Sequence, residues 1–196
     1  MLVATPKSTT VRADRDGPVW VRPLPPHEVG HAVDRVFSGL SGGSRYQRFH
    51  GPVPRMTELL RRRLVDVDGH RRAAIVAEVS TDGGGGDPVP VGLVELADAG
   101  RGAAEVAIAV VDAWHRRGVG RQLIEAAAAL AMRLGYTELR ASALPENVAV
   151  RGLARALFPQ ARWRLDGDTV QLTVPIGAAA GTVTDEDVLA DLLYRG

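Results

Sequence analysis

Two short stretches of this chain carry residues whose types and spacing could do chemistry. His115-Arg116-Arg117-Gly118-Val119-Gly120-Arg121 places two glycines among three arginines, directly ahead of the helical run QLIEAAAALAMRLG. Glycines let a backbone turn tightly and approach a ligand, and the unpaired N–H groups and positive dipole end of the following helix attract an anion. The indicated chemistry is the binding of a phosphate-bearing cofactor; an ordinary strand-to-helix turn with a basic rim fits the same residues. The spacing is not G-x-x-x-x-G-K-[ST], and Lys7 is the sole lysine of the chain. Nor is it G-x-G-x-x-G after a first strand. The second stretch, His27-Glu28-Val29-Gly30-His31, is a literal H-E-x-x-H, in which two histidines on one helical face could hold zinc with Glu28 as base. Pro25 and Pro26 push it into a first helical turn and no H-x-x-G-x-x-H extension follows, so surface histidines are the better account and no metal is expected.

Two carboxylates stand in strand-like company. Glu105 lies among Ala103, Ala104, Val106, Ala107 and Ile108, surroundings expected to raise its pKa toward general-base work. Glu95, in VGLVELAD, alternates with Val91 and Leu93, which puts it on a sheet face as a runner-up.

The elements that must hold these residues follow from periodicity. Residues 1–17 read as a loose tail, residues 18–176 as one domain, and residues 177–196 as a small-residue linker with a C-terminal helix striped by Val188, Leu189, Leu192 and Leu193. Val19–Val21 is a short strand stopped by prolines. A helix from His27 carries Val29, Ala32, Val33, Val36 and Phe37 on one side, and a glycine- and serine-rich loop, 40–51, precedes a second helix at 54–64. Strands are expected at 73–79, 91–96 and 103–111, then the glycine loop and its helix, ended by Gly135. A strand at 137–142, a helix at about 147–157 and strands at 162–165 and 169–174 complete an α/β layer with a mixed sheet, neither doubly wound nor a barrel.

Composition narrows the function classes. The chain has 196 residues, 24 Lys+Arg against 23 Asp+Glu, and no cysteine. A disulfide scaffold, a thiolate nucleophile and cysteine-based metal sites are excluded. The near-neutral balance gives no reason to expect nucleic acid or a membrane surface as partner. The absence of an apolar run near the start or of membrane-spanning length leaves a cytoplasmic protein, monomer or homodimer, as the expectation.

The glycine loop resembles the acetyl-CoA loop of the GNAT superfamily of N-acetyltransferases, [QR]-x-x-G-x-[GA], with Gly118 and Gly120 matching and His115 where glutamine or arginine is usual. AEVAIAVVDAWHRRGVGRQLI looks like the strand-loop-helix core of that superfamily. SGLSGGSRYQRF and LVDVDGHRRAAIVA are similar to strings in its bacterial protein-lysine acetyltransferases. The resemblance covers about residues 18–175. It implies a mostly antiparallel central sheet flanked by helices, with a V-shaped CoA cleft. It implies acetyl-CoA as co-substrate, its pantetheine arm along the backbone of Ile108, Ala109 and Val110, its pyrophosphate on the loop Arg116, Arg117, Gly118, Val119, Gly120 and Arg121, and a contact from Asn147. Glu105, the glutamate of A-E-V-A, would be the general base for attack by a primary amine, a protein lysine or else a small-molecule amine. Tyr46 and Glu95 would border the acceptor. An arginine found in related enzymes is replaced by Ala156, beside Arg155, and RGLARALF lacks the tyrosine that many members use as general acid. A degenerate CoA-binding module is the remaining alternative.

Overall fold

The computed structural model describes residues 9–13, 17–80 and 87–177. Strands β1 (Thr9–Ala13) and β2 (Gly17–Leu24) lead through a 3-10 turn at Pro26–Glu28 into α1 (Val29–Ser38), α2 (Gly42–Phe49) and α3 (Glu58–Val65). Three long strands follow, β3 (Arg72–Val79), β4 (Val89–Asp98) and β5 (Ala103–Val110), then a 3-10 turn at Asp112–Trp114 and α4 (Val119–Arg133). The chain continues through β6 (Glu138–Ala143), α5 (Val148–Leu157), β7 (Arg162–Asp166) and β8 (Thr169–Pro175). Among the described residues eight strands form one sheet in the order β1-β2-β3-β4-β5-β6-β8-β7. Every pairing is antiparallel except β5 with β6, so the expected mixed, mostly antiparallel sheet flanked by helices is what forms.

Each face of the sheet buries a separate apolar cluster. On one face α4 lays Val119, Leu123, Ala127 and Ala131, spaced by four and all at most 1% exposed, against β2 to β5. On the other face α1 buries Val29, Ala32, Val33, Val36 and Phe37, the stripe its periodicity predicts, over Ala74, Val76 and Leu93. Gly92 on β4 lets α4 come close: a Cβ there would lie 2.8 Å from Leu123 Cδ1 and 3.2 Å from Val119 Cγ1, both fully buried.

Several expectations are corrected. Residues 42–49 are helical, not loop. Ser41 caps this helix by accepting the N–H of Ser44 at 3.1 Å, which offsets the poor helix propensity of Gly42 and Gly43. The next helix starts at Glu58 rather than Pro54, where Thr57 accepts from Leu60 N at 3.2 Å. Strand β2 continues past Pro23 to Leu24, with Pro23 opposite Ile75. Thr9–Ala13, within the stretch read as a tail, pairs with β2, because ladder hydrogen bonds need backbone groups rather than apolar side chains. The glycine turn at 81–86 and the C-terminal helix expected after 183 lie outside the described residues. Among the described residues no helix is long and apolar enough to cross a membrane.

Gly92→Ala forces a methyl group against two side chains that have nowhere to go. It is expected to lower unfolding free energy by about 1–3 kcal/mol in a urea titration, and Leu123→Val in the same chain should recover part of the loss.

Candidate active site

β5 and β6 run side by side only from Ala103/Glu138 to Glu105/Arg140. Beyond Glu105 the two strands part, while β5 stays paired with β4 up to Val110/Gly92. The hydrogen bonds Val111 N to Val91 O and Ala99 N to Ala103 O, both 2.9 Å, set the phase of that ladder. Odd-numbered residues of β5 therefore bond β4, and even-numbered ones aim their N–H and C=O toward the gap left by β6. Ile108 and Val110 have backbone groups open to an added strand. The Ala109 backbone, expected to share that role, is turned to Leu93. The Val110 carbonyl accepts from His115 Nε2 at 2.8 Å, so His115 closes the end of the open edge.

The wedge between the strands deepens into an apolar pocket, open to solvent, lined by Val106 and Ile108 of β5, Ile124 of α4, Leu139 of β6, Leu153 of α5 and Phe158 just past the end of α5. The helix start lies at its edge: a Cβ on Gly120 would lie 3.5 Å from Leu153 Cδ2 and 3.9 Å from Ile108 Cδ1. At that start Gly118 has φ +82°, a left-handed conformation favouring glycine, and Arg116 adopts φ +58° despite its side chain. Among the described residues no side chain caps α4, and its first intrahelical bond at this end is Gln122 N to Gly118 O, 3.2 Å. The N–H groups of Val119, Gly120 and Arg121 are thus left to a ligand or water. Arg116 is exposed, Arg117 lies 4.9 Å over the Trp114 ring, and Arg121 is 3.3 Å from Glu125. Oxygen-rich anions fit this cradle of open amides, helix dipole and arginines. Asn147, across the gap, caps α5 by accepting the Val150 N–H at 3.1 Å, which leaves its amide N–H groups for another acceptor.

Glu105 is the last β5 residue paired with β6, so it marks the apex of the wedge. The expected apolar enclosure is not there. Alternation sends Ala104, Val106 and Ile108 to the α4 face and Glu105 to the opposite one, where it is exposed. Glu95 shares that face, opposite Ala107, and is bound by the guanidinium of Arg48 from α2, with both side chains at most 17% exposed. Tyr46, on the same helix, is exposed. Sequence reading missed Arg48, because its partner lies 47 positions away.

It also missed Asp112, whose carboxylate accepts from Ser41 N at 3.2 Å at the head of α2, while Asp112 N donates to Gly39 O at 3.3 Å. Partial burial would raise the Asp112 carboxyl, but hydrogen bonds from Ser41 and Ser44 outweigh it and hold the carboxyl below its usual range. The H-E-x-x-H residues form no metal centre. His27 is exposed in the 3-10 turn, outside α1, and Glu28 accepts from Arg22 at 2.6 Å, while Arg22 also binds the buried Glu78. Among the described residues no cluster of three His, Cys, Asp or Glu could hold a metal ion.

Residues 45–158 match the model of the acetyltransferase (GNAT) family. No curated protein matches the chain. In fold it is similar to the GNAT domain of PAT from S. lividans, with TM-score 0.73 and 23% identity over 86% of this chain and 97% of that one. It is also similar to YncA of Salmonella typhimurium, solved with its cofactor acetyl-CoA, with TM-score 0.61 and 16% identity over 83% of this chain and 96% of that one. A cAMP-binding acyltransferase from Mycobacterium smegmatis aligns over 95% of this chain at TM-score 0.56 and 24% identity, this chain spanning 52% of its length.

Asp112→Asn tests the tie between α2 and the β5 exit. A carboxyl held low stabilises the fold above its unfolded pKa and loses that contribution as pH falls through the folded pKa. Wild type should therefore exceed Asp112→Asn in stability at pH 7, with the gap closing below about pH 4, as read by thermal unfolding across pH.

Proposed function

The chain belongs to the GNAT acetyltransferase family, and on that premise we propose that it transfers the acetyl group of acetyl-CoA to a primary amine, the side chain of a protein lysine, with Glu105 as general base. The observation that carries the reading is the split sheet. An open β5 edge, an apolar wedge and a helix start flanked by arginines adjoin one another, the complement of a polyamide arm ending in a pyrophosphate. The bound thioester supplies an activated acyl carbon with a thiolate as leaving group.

The chain's own residues do the rest. The amides of Val119, Gly120 and Arg121 hold the pyrophosphate, with Arg116 and Arg117 adding charge. Ile108 offers N–H and C=O, and Val110 its N–H, to the amides of the arm, while the His115 bond to the Val110 carbonyl ends this pairing. An arm held this way would present its acyl end toward the apex, where the strands part at Glu105. A lysine amine is almost wholly protonated at neutral pH, so it must lose a proton before it attacks. Glu105, exposed at the apex, takes that proton directly or through water. The protein-lysine acceptor is supported by the strings around SRYQRF and LVDVDGHRRAAIVA and by the uncovered polar face beyond Glu105. There Arg140, Ser142, Gln171, Thr173, Arg162 and Arg164 share one side of β6, β8 and β7, room that a small amine does not need.

Calorimetric titration with acetyl-CoA should give micromolar binding. Gly118→Glu, which places a side chain at φ +82° and a negative charge at the helix start, should abolish it. Glu105→Gln should keep the affinity and lower acetyl transfer to lysine peptides by about a hundredfold or more; full turnover in that variant would remove Glu105 from the reaction.

A further inference from the structure

Glu105 makes no ion pair or side-chain hydrogen bond among the described residues, yet its neighbours on the same face are two closed ion pairs. On the β4 side, register sets Ala97 opposite Glu105 and Glu95 one pleat along, a diagonal of about 7–8 Å. Glu95 is closed on Arg48, with 15% and 17% of the two side chains exposed. On the β6 side Arg140 stands opposite Glu105 and gives its Nε to Glu138 at 2.7 Å, with 43% and 32% exposed. Other charges of the covering helices are directed elsewhere. The Arg45 guanidinium lies on Phe37 and donates to the Pro54 carbonyl, Asp34 is closed on Arg61, and Tyr46, His31 and Arg35 are exposed.

We propose that Arg48 is a positioning residue for the reaction: by closing Glu95 off, it leaves Glu105 as the open carboxylate at the apex among the described residues and fixes the charge that this carboxylate faces from the β4 side. The proposal rests on the reading of Glu105 as base. The better-buried pair carries more of the effect, because solvent screens the Arg140–Glu138 pair more strongly. Like charges on neighbouring positions of one sheet face disfavour each other's ionised form. Without Arg48, the bare charge of Glu95 therefore raises the proton affinity of Glu105. Without Glu95, the bare Arg48 cation lowers it. Loss of both cancels. The same contact fastens α2, the helix of Tyr46, onto β4, so one guanidinium couples the placement of the acceptor side to the ionisation of the base.

The test is a carboxyl-carbon NMR titration of protein labelled with [δ-13C]glutamate, with the Glu105 signal identified by its absence in Glu105→Gln. Glu95→Gln is expected to move the Glu105 midpoint down by roughly half to one pH unit, and Arg48→Met to move it up by a similar amount. The double variant should return it close to wild type. Arg48→Met leaves a half-buried carboxylate unpaired and can unfold; the Glu95→Gln and double variants then still decide the matter. A Glu105 midpoint that Glu95→Gln leaves in place or moves up overturns the proposal. Full turnover in Glu105→Gln would instead overturn the reading beneath it, and the two failures are read in separate experiments.

Discussion

The structure depends on one break in hydrogen bonding. A sheet gains from pairing every edge it has, and here β5 and β6 stop pairing after three residues while each remains paired on its other side. The unused N–H and C=O groups of β5 face a gap lined with apolar side chains. Such groups are costly to leave without partners, and the gap meets that cost only because it stays open to solvent or to a ligand that brings amides of its own. Parallel pairing makes the gap possible. Joining parallel strands requires a crossover, and the crossover α4 begins at the mouth of the wedge, where its unpaired amides become the anion site.

Charge on the opposite face is arranged by closure. Arg22 binds Glu78 and Glu28, Arg61 binds Asp34, Arg48 binds Glu95 and Arg140 binds Glu138. Arginine suits this role, since its planar fork holds carboxylates at two points and it keeps its proton. A chain with Lys7 as its sole lysine also carries almost no amine of the kind it is proposed to modify. Against this background of closed pairs, the open carboxylate at the apex is a local exception.

Much of the fold was legible because it rests on period. The α1 stripe, the β-branched runs of β3 to β5, the long α4 and its end at Gly135 all appear within a few residues of their expected bounds. Two of the misreadings share one cause, partners that local sequence does not show. Gly42 and Gly43 argue for a loop locally, and only Ser41, Asp112 and Arg48, acting from a cap, another turn and across to β4, make residues 42–49 a helix. The apolar sequence neighbours of Glu105 suggest enclosure, but in a strand the adjacent ones belong to the other face and Glu105 is exposed.

By itself the sequence determined the order of elements from β3 onward, the glycine loop before α4 and the family to which they point, because helix and strand periods and turn residues act over a few positions. Only the tertiary structure decided that the Ala109 backbone belongs to β4 while that of Ile108 stays open, that His115 ends the open edge, and that Glu95 is closed while Glu105 is not. Register and face are properties of strands brought together from far along the chain. Which carboxylate finds an arginine is settled only where a helix from residue 48 comes down on a strand at residue 95.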